Sequence, residues 1–462
     1  MTTKSPIGPI GPIRPIWRGA ALLVLAALET AALAGEARFP PRLPGGKSVA
    51  TERSPELVRA PPLMTLLGDV RVAKTPPTVD LLYFPCQTYR GNPWSCWGGG
   101  LAVDGKYYTS IGDRSGNCFI YEYDATAKAL RQVADVRKTL NPPAGHYSPG
   151  MIAGRIDIGD DGWLYFATHR HPGAAGVYEG DWVLRCHPQT GKTEVVGIPV
   201  PKHAIPCTVL DPKRLVLYGG AVPENGKDDA ALRQAQGGVS LSNAAKFFAY
   251  DVKAKRLLHS GEGGPTRALI FAKSTGRVYF TPGVQGPLSC FDPDKGPPPA
   301  KLPVTIGLRA ATQETPDGCF YTVAQEGEAM LWRVDLKGQA IEQLGPAVIG
   351  SQNYVASLDA DPTGRFLYYV PGANGGAERD GAPVVQFDAR TKSHKVIAFL
   401  YPFLRQKLGY IPVGTFSLAV DPKGDKVYVT WNGSFGAMKG RQLIWDACAL
   451  TVVHVPESER QP

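Results

Sequence analysis

Past residue 34 this chain of 462 residues has no apolar run that could cross a bilayer, and the run before it, Ala20–Leu28, covers nine residues where a span needs about 20. Stable membrane insertion is therefore not expected. The eight cysteines (Cys86, Cys96, Cys118, Cys186, Cys207, Cys290, Cys319 and Cys448) include no C-x-x-C pair, which argues against a zinc knuckle or a haem attachment site. A Gly-rich phosphate loop, a serine nucleophile elbow, a paired-carboxylate motif and basic runs are all lacking, so nucleotide chemistry and nucleic-acid binding have no support. Long amphipathic helical periodicity is missing too. One short helix is plausible, over Asp228 to Gln236, inside an insertion.

What the chain does have at its start reads as an address. Lys4, Arg14 and Arg18 precede the short apolar core, and Ala32-Leu33-Ala34 is a small-x-small cleavage signal, so 1–34 is expected to be a signal peptide and the protein secreted or periplasmic. A retained membrane anchor is the competing reading, because Glu29 interrupts the run. No cysteine follows the cleavage site, so a lipoprotein anchor is not indicated. Loss of Lys4, Arg14, Arg18 and Glu29 takes the formal net charge from +9 to +7. That modest excess reads as solubility before it reads as attraction to an anionic partner. Residues 35–79 are rich in Pro and charge and are expected to form a tether or a partly ordered N-terminal segment, with 80–462 as one domain. In an exported chain Cys86 and Cys96 are spaced to close a loop through Pro93; the other six read as small buried hydrophobes.

The domain repeats itself seven times. Leu358–Val370 (LDADPTGRFLYYV), Leu418–Thr430 (LAVDPKGDKVYVT) and Ile156–Thr168 (IDIGDDGWLYFAT) are the clearest copies: an apolar run, a tight polar turn and a β-branched, aromatic run. First strands start near Leu101, Ile152, Cys207, Arg267, Arg309, Ala356 and Phe416. A lone sheet of this composition exposes an apolar face, so the copies must stack in a ring, which predicts an all-β, seven-bladed β-propeller. The C-terminal copy runs out after Val453, whereas Leu63 to Tyr89 holds unassigned apolar runs. An N-terminal strand is therefore expected to close blade seven.

In a propeller the loops leading into each inner strand, and those joining second to third strands, meet around the mouth of the central channel. Blade two is the richest there. Residues i and i+2 of an extended chain share a side, so His169 and His171 converge, with His146 arriving from a neighbouring loop: three imidazoles suffice for a divalent metal, Zn, Mn or Ca. Their competing reading is separate surface histidines. Lys202, His203 and Arg155 are the candidate proton-transfer groups, although Arg155 and Asp157 equally suit an ion pair that fastens blades. Arg267, Arg309, Gln325 (followed by Glu326), Gln352, Tyr354, Asn374 and Trp431 are the candidate substrate contacts, with Asn353, Tyr410 and Asn432 nearby; rings stack on sugar faces and guanidinium groups hold carboxylates.

The stretch from His146-Tyr147-Ser148-Pro149-Gly150 to Ala167-Thr168, with the blade repeat, resembles secreted bacterial propellers of the gluconolactonase and streptogramin-lyase superfamily. The calcium ligands of the gluconolactonases have no counterpart that can be located here, which puts lactonase activity in question. The histidine-rich cup also resembles oligogalacturonate lyase, a propeller in which three histidines and a glutamine hold a metal; by residue type that resemblance implies His146, His169, His171 and Gln325 or Gln352. The expectation is a monomer with a channel-mouth site for a carbohydrate or carboxylated small molecule, either a metal-dependent lyase or hydrolase or a non-catalytic glycan- or protein-binding module.

Overall fold

Each sequence repeat becomes one antiparallel sheet, and the seven sheets form a propeller in the computed structural model, which describes residues 39–67, 70–90, 94–113, 116–171, 174–223, 245–325, 329–337, 340–440 and 442–461. The proposed signal peptide and the helix expected over Asp228 to Gln236 lie outside the described residues. Inner strands are Leu101–Val103, Asp157–Ile158, His203–Asp211, Ile270–Ala272, Ala310–Ala311, Val355–Ala360 and Ile411–Val420, which number blades one to seven. Blades one to six are four-stranded, their strands hydrogen-bonded in sequence order.

The turns follow from the repeated Asp-Pro-x-Gly phrase. In blade six Asp361 O accepts from Gly364 N (2.9 Å) and Asp361 Oδ1 accepts from Phe366 N (2.8 Å), while Gly364 sits at φ +74°, where a side chain would be strained. Blade seven repeats the same turn at Asp421 and Gly424.

Blade seven closes the ring as the spare N-terminal runs required. Its C-terminal strands Ile411–Val420, Lys426–Ser434 and Ala447–His454 are followed by Thr78–Tyr83, which pairs with the last of them from Thr78 opposite His454 to Tyr83 opposite Ala449. Ala50–Arg53 adds a fifth strand outside it. The Pro-rich stretch before residue 80 is thus anchored at several points: Leu43 and Leu57 enter the core between blades six and seven, and Met64 packs against Val396 and Phe399.

Core clusters fill every interface between neighbouring blades. Tyr107 and Tyr428 stack between blades seven and one (4.9 Å between centroids), and Phe247 and Phe280 between three and four (4.5 Å). Each fully buried side chain of this kind stabilises the ring by about 1.5–3 kcal/mol, so the sum over seven interfaces far outweighs any single polar contact. Polar pins set the register. Asp157 Oδ2 accepts from Leu210 N of the next blade (3.1 Å), and Asp359, at the same repeat position, accepts from Val420 N (2.8 Å). Asn432 joins blade seven to blade one by accepting from Cys96 N (2.7 Å) and donating to Cys96 O (3.0 Å).

All eight cysteines are free thiols, so the Cys86–Cys96 bridge expected from spacing is not formed. Cys96 is fully buried, its Sγ set against Gly98 O and Thr109 Oγ1. No described helix is long and apolar enough to cross a membrane.

Candidate functional site

Small residues on the inner strands and in the segments leading into them, Gly99, Gly100, Ala153, Ala310 and Ala356 among them, leave a cavity of about 650 Å³ at the axis. All seven blades line it. Blades one and two contribute Trp97, Gly99, Gly100, Ala153 and Arg155; blades three to five contribute Thr208, Arg267, Arg309 and Gln325; blades six and seven contribute Asn353, Tyr354, Asp359, Asn374 and Phe416.

His169 and His171 reach this cavity as alternation required. The chain stays extended beyond the strand Leu164–Ala167, with His169 N donating to Met151 O at 2.8 Å, so both histidines line the cavity. Arg170 between them instead packs over the Tyr178 ring (4.6 Å). Burial, then the positive charge of Arg267, pushes the His169 imidazole down to about 3, so it is neutral at physiological pH. Its Nδ1 is buried without a hydrogen-bond partner and stands 4.0 Å from Asp181 Oδ2, beyond hydrogen-bonding reach. Asp181 is buried as well. Its desolvation outweighs the donors Ile205 N (2.9 Å), Arg170 N (3.0 Å) and Thr168 Oγ1 (3.1 Å) and raises its carboxyl to about 6.

Arg267 and Arg309 dominate the field. Burial lowers both guanidinium groups, Arg309 to about 9 with a further contribution from Arg267, and both stay cationic at neutral pH. Arg267 lines the cavity with its side chain solvent-exposed, so the desolvation it feels comes from the protein atoms around the ring rather than from loss of contact with water. Among the described residues neither guanidinium makes an ion pair or a hydrogen bond; Arg309 lies over the rings of Tyr354 (5.7 Å) and Phe416 (5.6 Å). Arg155 differs. Its Nε donates to Asp157 Oδ1 at 3.4 Å, and since Asp157 also pins blade three, this pair belongs to the fastening of the ring while Arg155 still borders the cavity.

Several residues expected at this mouth are elsewhere. His146 is held in its own turn, its N donating to Pro143 O (3.0 Å) and its backbone bridged to Val177, and it does not line the cavity. Lys202 takes a left-handed turn (φ +59°) and is exposed, while His203 Nδ1 lies 2.7 Å from Pro201 O; neither lines the cavity. Gln352 closes a loop by donating to Gly376 O (2.8 Å). Trp431 is fully buried between blades six and seven, its Nε1 donating to Thr451 Oγ1 (2.8 Å), because it lies on the second strand of blade seven and alternates with Val427 and Val429 onto the face packed against blade six; Tyr410 shares that core. Asn432 is the clasp already described. Gln325 lines the cavity; Glu326 lies outside the described residues. Trp97, Phe416 and Asp359 were not among the residues expected to contact a ligand, although Asp359 occupies the repeat position of Asp157.

Among the described residues no group of three or more His, Cys, Asp or Glu side chains is placed to hold a metal ion. Two histidines and an amide beside two uncompensated arginines do not suit a divalent cation, which the local positive field repels.

Neither a protein-family profile nor a curated relative matches the chain. Solved structures do resemble it. Oligogalacturonate lyase in complex with manganese superposes with TM-score 0.50 at 14% identity over 89% of this chain and 99% of that one. The oligogalacturonate lyase of Vibrio parahaemolyticus gives 0.51 at 13% over 89% and 98%, and the WD40 repeats of RRP9 give 0.50 at 11% over 84% and 99%. At these identities what is shared is the seven-bladed propeller fold, common to a lyase and to WD40 proteins alike.

Proposed function

We propose that the axial cavity is a binding site for an anionic small molecule, in particular a carboxylated compound of sugar size. The observation that carries this reading is the pair Arg267 and Arg309, two cations lining one cavity, neither of which forms an ion pair among the described residues. Confining such charges is costly unless something opposite neutralises them, and a planar carboxylate is matched bidentately by a guanidinium. Isothermal calorimetry with acidic and neutral sugars of equal size tests it. Charge-assisted hydrogen bonds contribute about 1.5–3 kcal/mol each, so Arg309→Met should weaken an acidic ligand roughly 10- to 100-fold and leave a neutral one unchanged. Equal affinity for acidic and neutral sugars would refute the proposal.

One observation favours turnover over passive binding: the His169 imidazole borders the same cavity as the two arginines, and a bound anion that offsets the charge of Arg267 would raise its depressed basicity. In this reading the imidazole takes the proton from the carbon next to the bound carboxylate. The electron pair left on that carbon is delocalised into the carboxylate between the guanidinium groups, then forms a C=C bond as the β-oxygen substituent leaves with its bonding pair. The expected product has a C=C conjugated to the carboxylate and a new ultraviolet absorbance. His169→Ala should abolish its appearance and leave ligand affinity within a few-fold.

A further inference from the structure

The cavity is chemically two-sided. The cations that make no ion pair among the described residues, Arg267 and Arg309, come from blades four and five, whereas its aromatic lining, Trp97, Tyr354 and Phe416, comes from blades one, six and seven. These rings are not part of the cores between blades. With Trp445, Ala356 and Ala373 they form a separate small apolar cluster in which Trp97, Tyr354 and Trp445 are only partly buried. Trp97 lies against Phe416 (4.6 Å between centroids, 39° between planes) and is backed by Trp445 (5.7 Å). Such rings would gain more by packing between blades than by standing in a wet cavity, so their position needs another reason. Arg309 joins the two sides, since its guanidinium lies over both Tyr354 and Phe416.

Resting on the reading of the cavity as an anion site, we propose that Trp97, Phe416 and Tyr354 form a ring-binding shelf, and that the ligand carries its carboxylate directly on, or one bond from, a ring with an apolar face. The shelf and the cation share one wall, so a ligand that used both would need its anion beside the ring; a long linker would carry the charge past Arg309. Either an aromatic acid or a uronic acid has this chemistry, and both stack through the same kind of contact.

Calorimetry with four probes separates the possibilities: acetate (charge without a ring), benzamide (ring without charge), benzoate and glucuronate. Benzoate or glucuronate is expected to bind at least about tenfold more tightly than acetate, the better of the two identifying the source. That gain should vanish in Trp97→Ala and be largely restored in Trp97→Phe, with melting temperature checked in each variant; Phe416→Leu provides a second variant should Trp97→Ala not fold. Binding of both ring acids no tighter than acetate, or no binding of any probe, overturns the shelf. Benzamide binding as tightly as benzoate instead overturns the anion site itself, so the two failures are distinct.

Discussion

Replacing Asp80 with Asn should weaken ring closure by an amount that depends on pH. Asp80 lies in the N-terminal strand that completes blade seven and is buried, yet its carboxylate receives hydrogen bonds from Lys128 Nζ of blade one (2.7 Å), from His454 Nε2 of the neighbouring C-terminal strand (2.8 Å) and from Thr51 of the outermost strand. Burial alone would raise its carboxyl; His454, Lys128 and Thr51 together outweigh burial and lower it from 3.8 to about 2. A depression of just under two units corresponds to about 2.5 kcal/mol of stability, present when the carboxylate is ionised in both folded and unfolded chains. The contribution is complete above the unfolded value near 4 and is lost as pH falls through about 2. For a domain of this size about 2.5 kcal/mol moves Tm by roughly 2–3 °C. Calorimetric scans of wild type and Asp80→Asn should differ by that much at pH 7 and converge near pH 2. An equal difference at both pH values, or none at pH 7, would refute the clasp.

Two further outcomes follow from the closure and the thiols. A chain beginning at residue 90 loses both N-terminal strands and exposes the edge of Ala447–His454, and should be insoluble; a soluble, cooperatively melting fragment would contradict the closure. Unfolding without reductant should release eight thiols to a colorimetric reagent, and the native protein should react slowly even at half-buried Cys86, whose thiol burial pushes up to about 12; six thiols in the unfolded chain would restore the Cys86–Cys96 bridge.

The blades were legible because the Asp-Pro-x-Gly turn and the aromatic strand after it are local, and because stacking is the one way to cover both faces of such sheets. Closure was legible from a count of strands. At the site, placement at the cavity was legible for His169 and His171, two residues apart on the chain running on from a strand, and for Arg267 and Arg309, which lie in the segments leading into inner strands. Placement failed at Trp431, which lies on a second strand and alternates with Val427 and Val429 onto the face packed against blade six rather than toward the cavity. His146 and Lys202 sit in turns and His203 is the first residue of its inner strand, where turn geometry rather than alternation decides direction. Trp97 was hidden for a related reason, since it precedes the first inner strand and its place depends on Phe416, more than 300 residues away.

The central claim, an anion held between Arg267 and Arg309, is tested most directly by anomalous diffraction from crystals soaked in 4-bromobenzoate. The bromine peak fixes the ligand without reference to the protein phases. The account predicts one peak inside the ring, with the carboxylate within about 3 Å of both guanidinium groups. A peak outside the cavity, or arginines already paired with protein carboxylates, would contradict it.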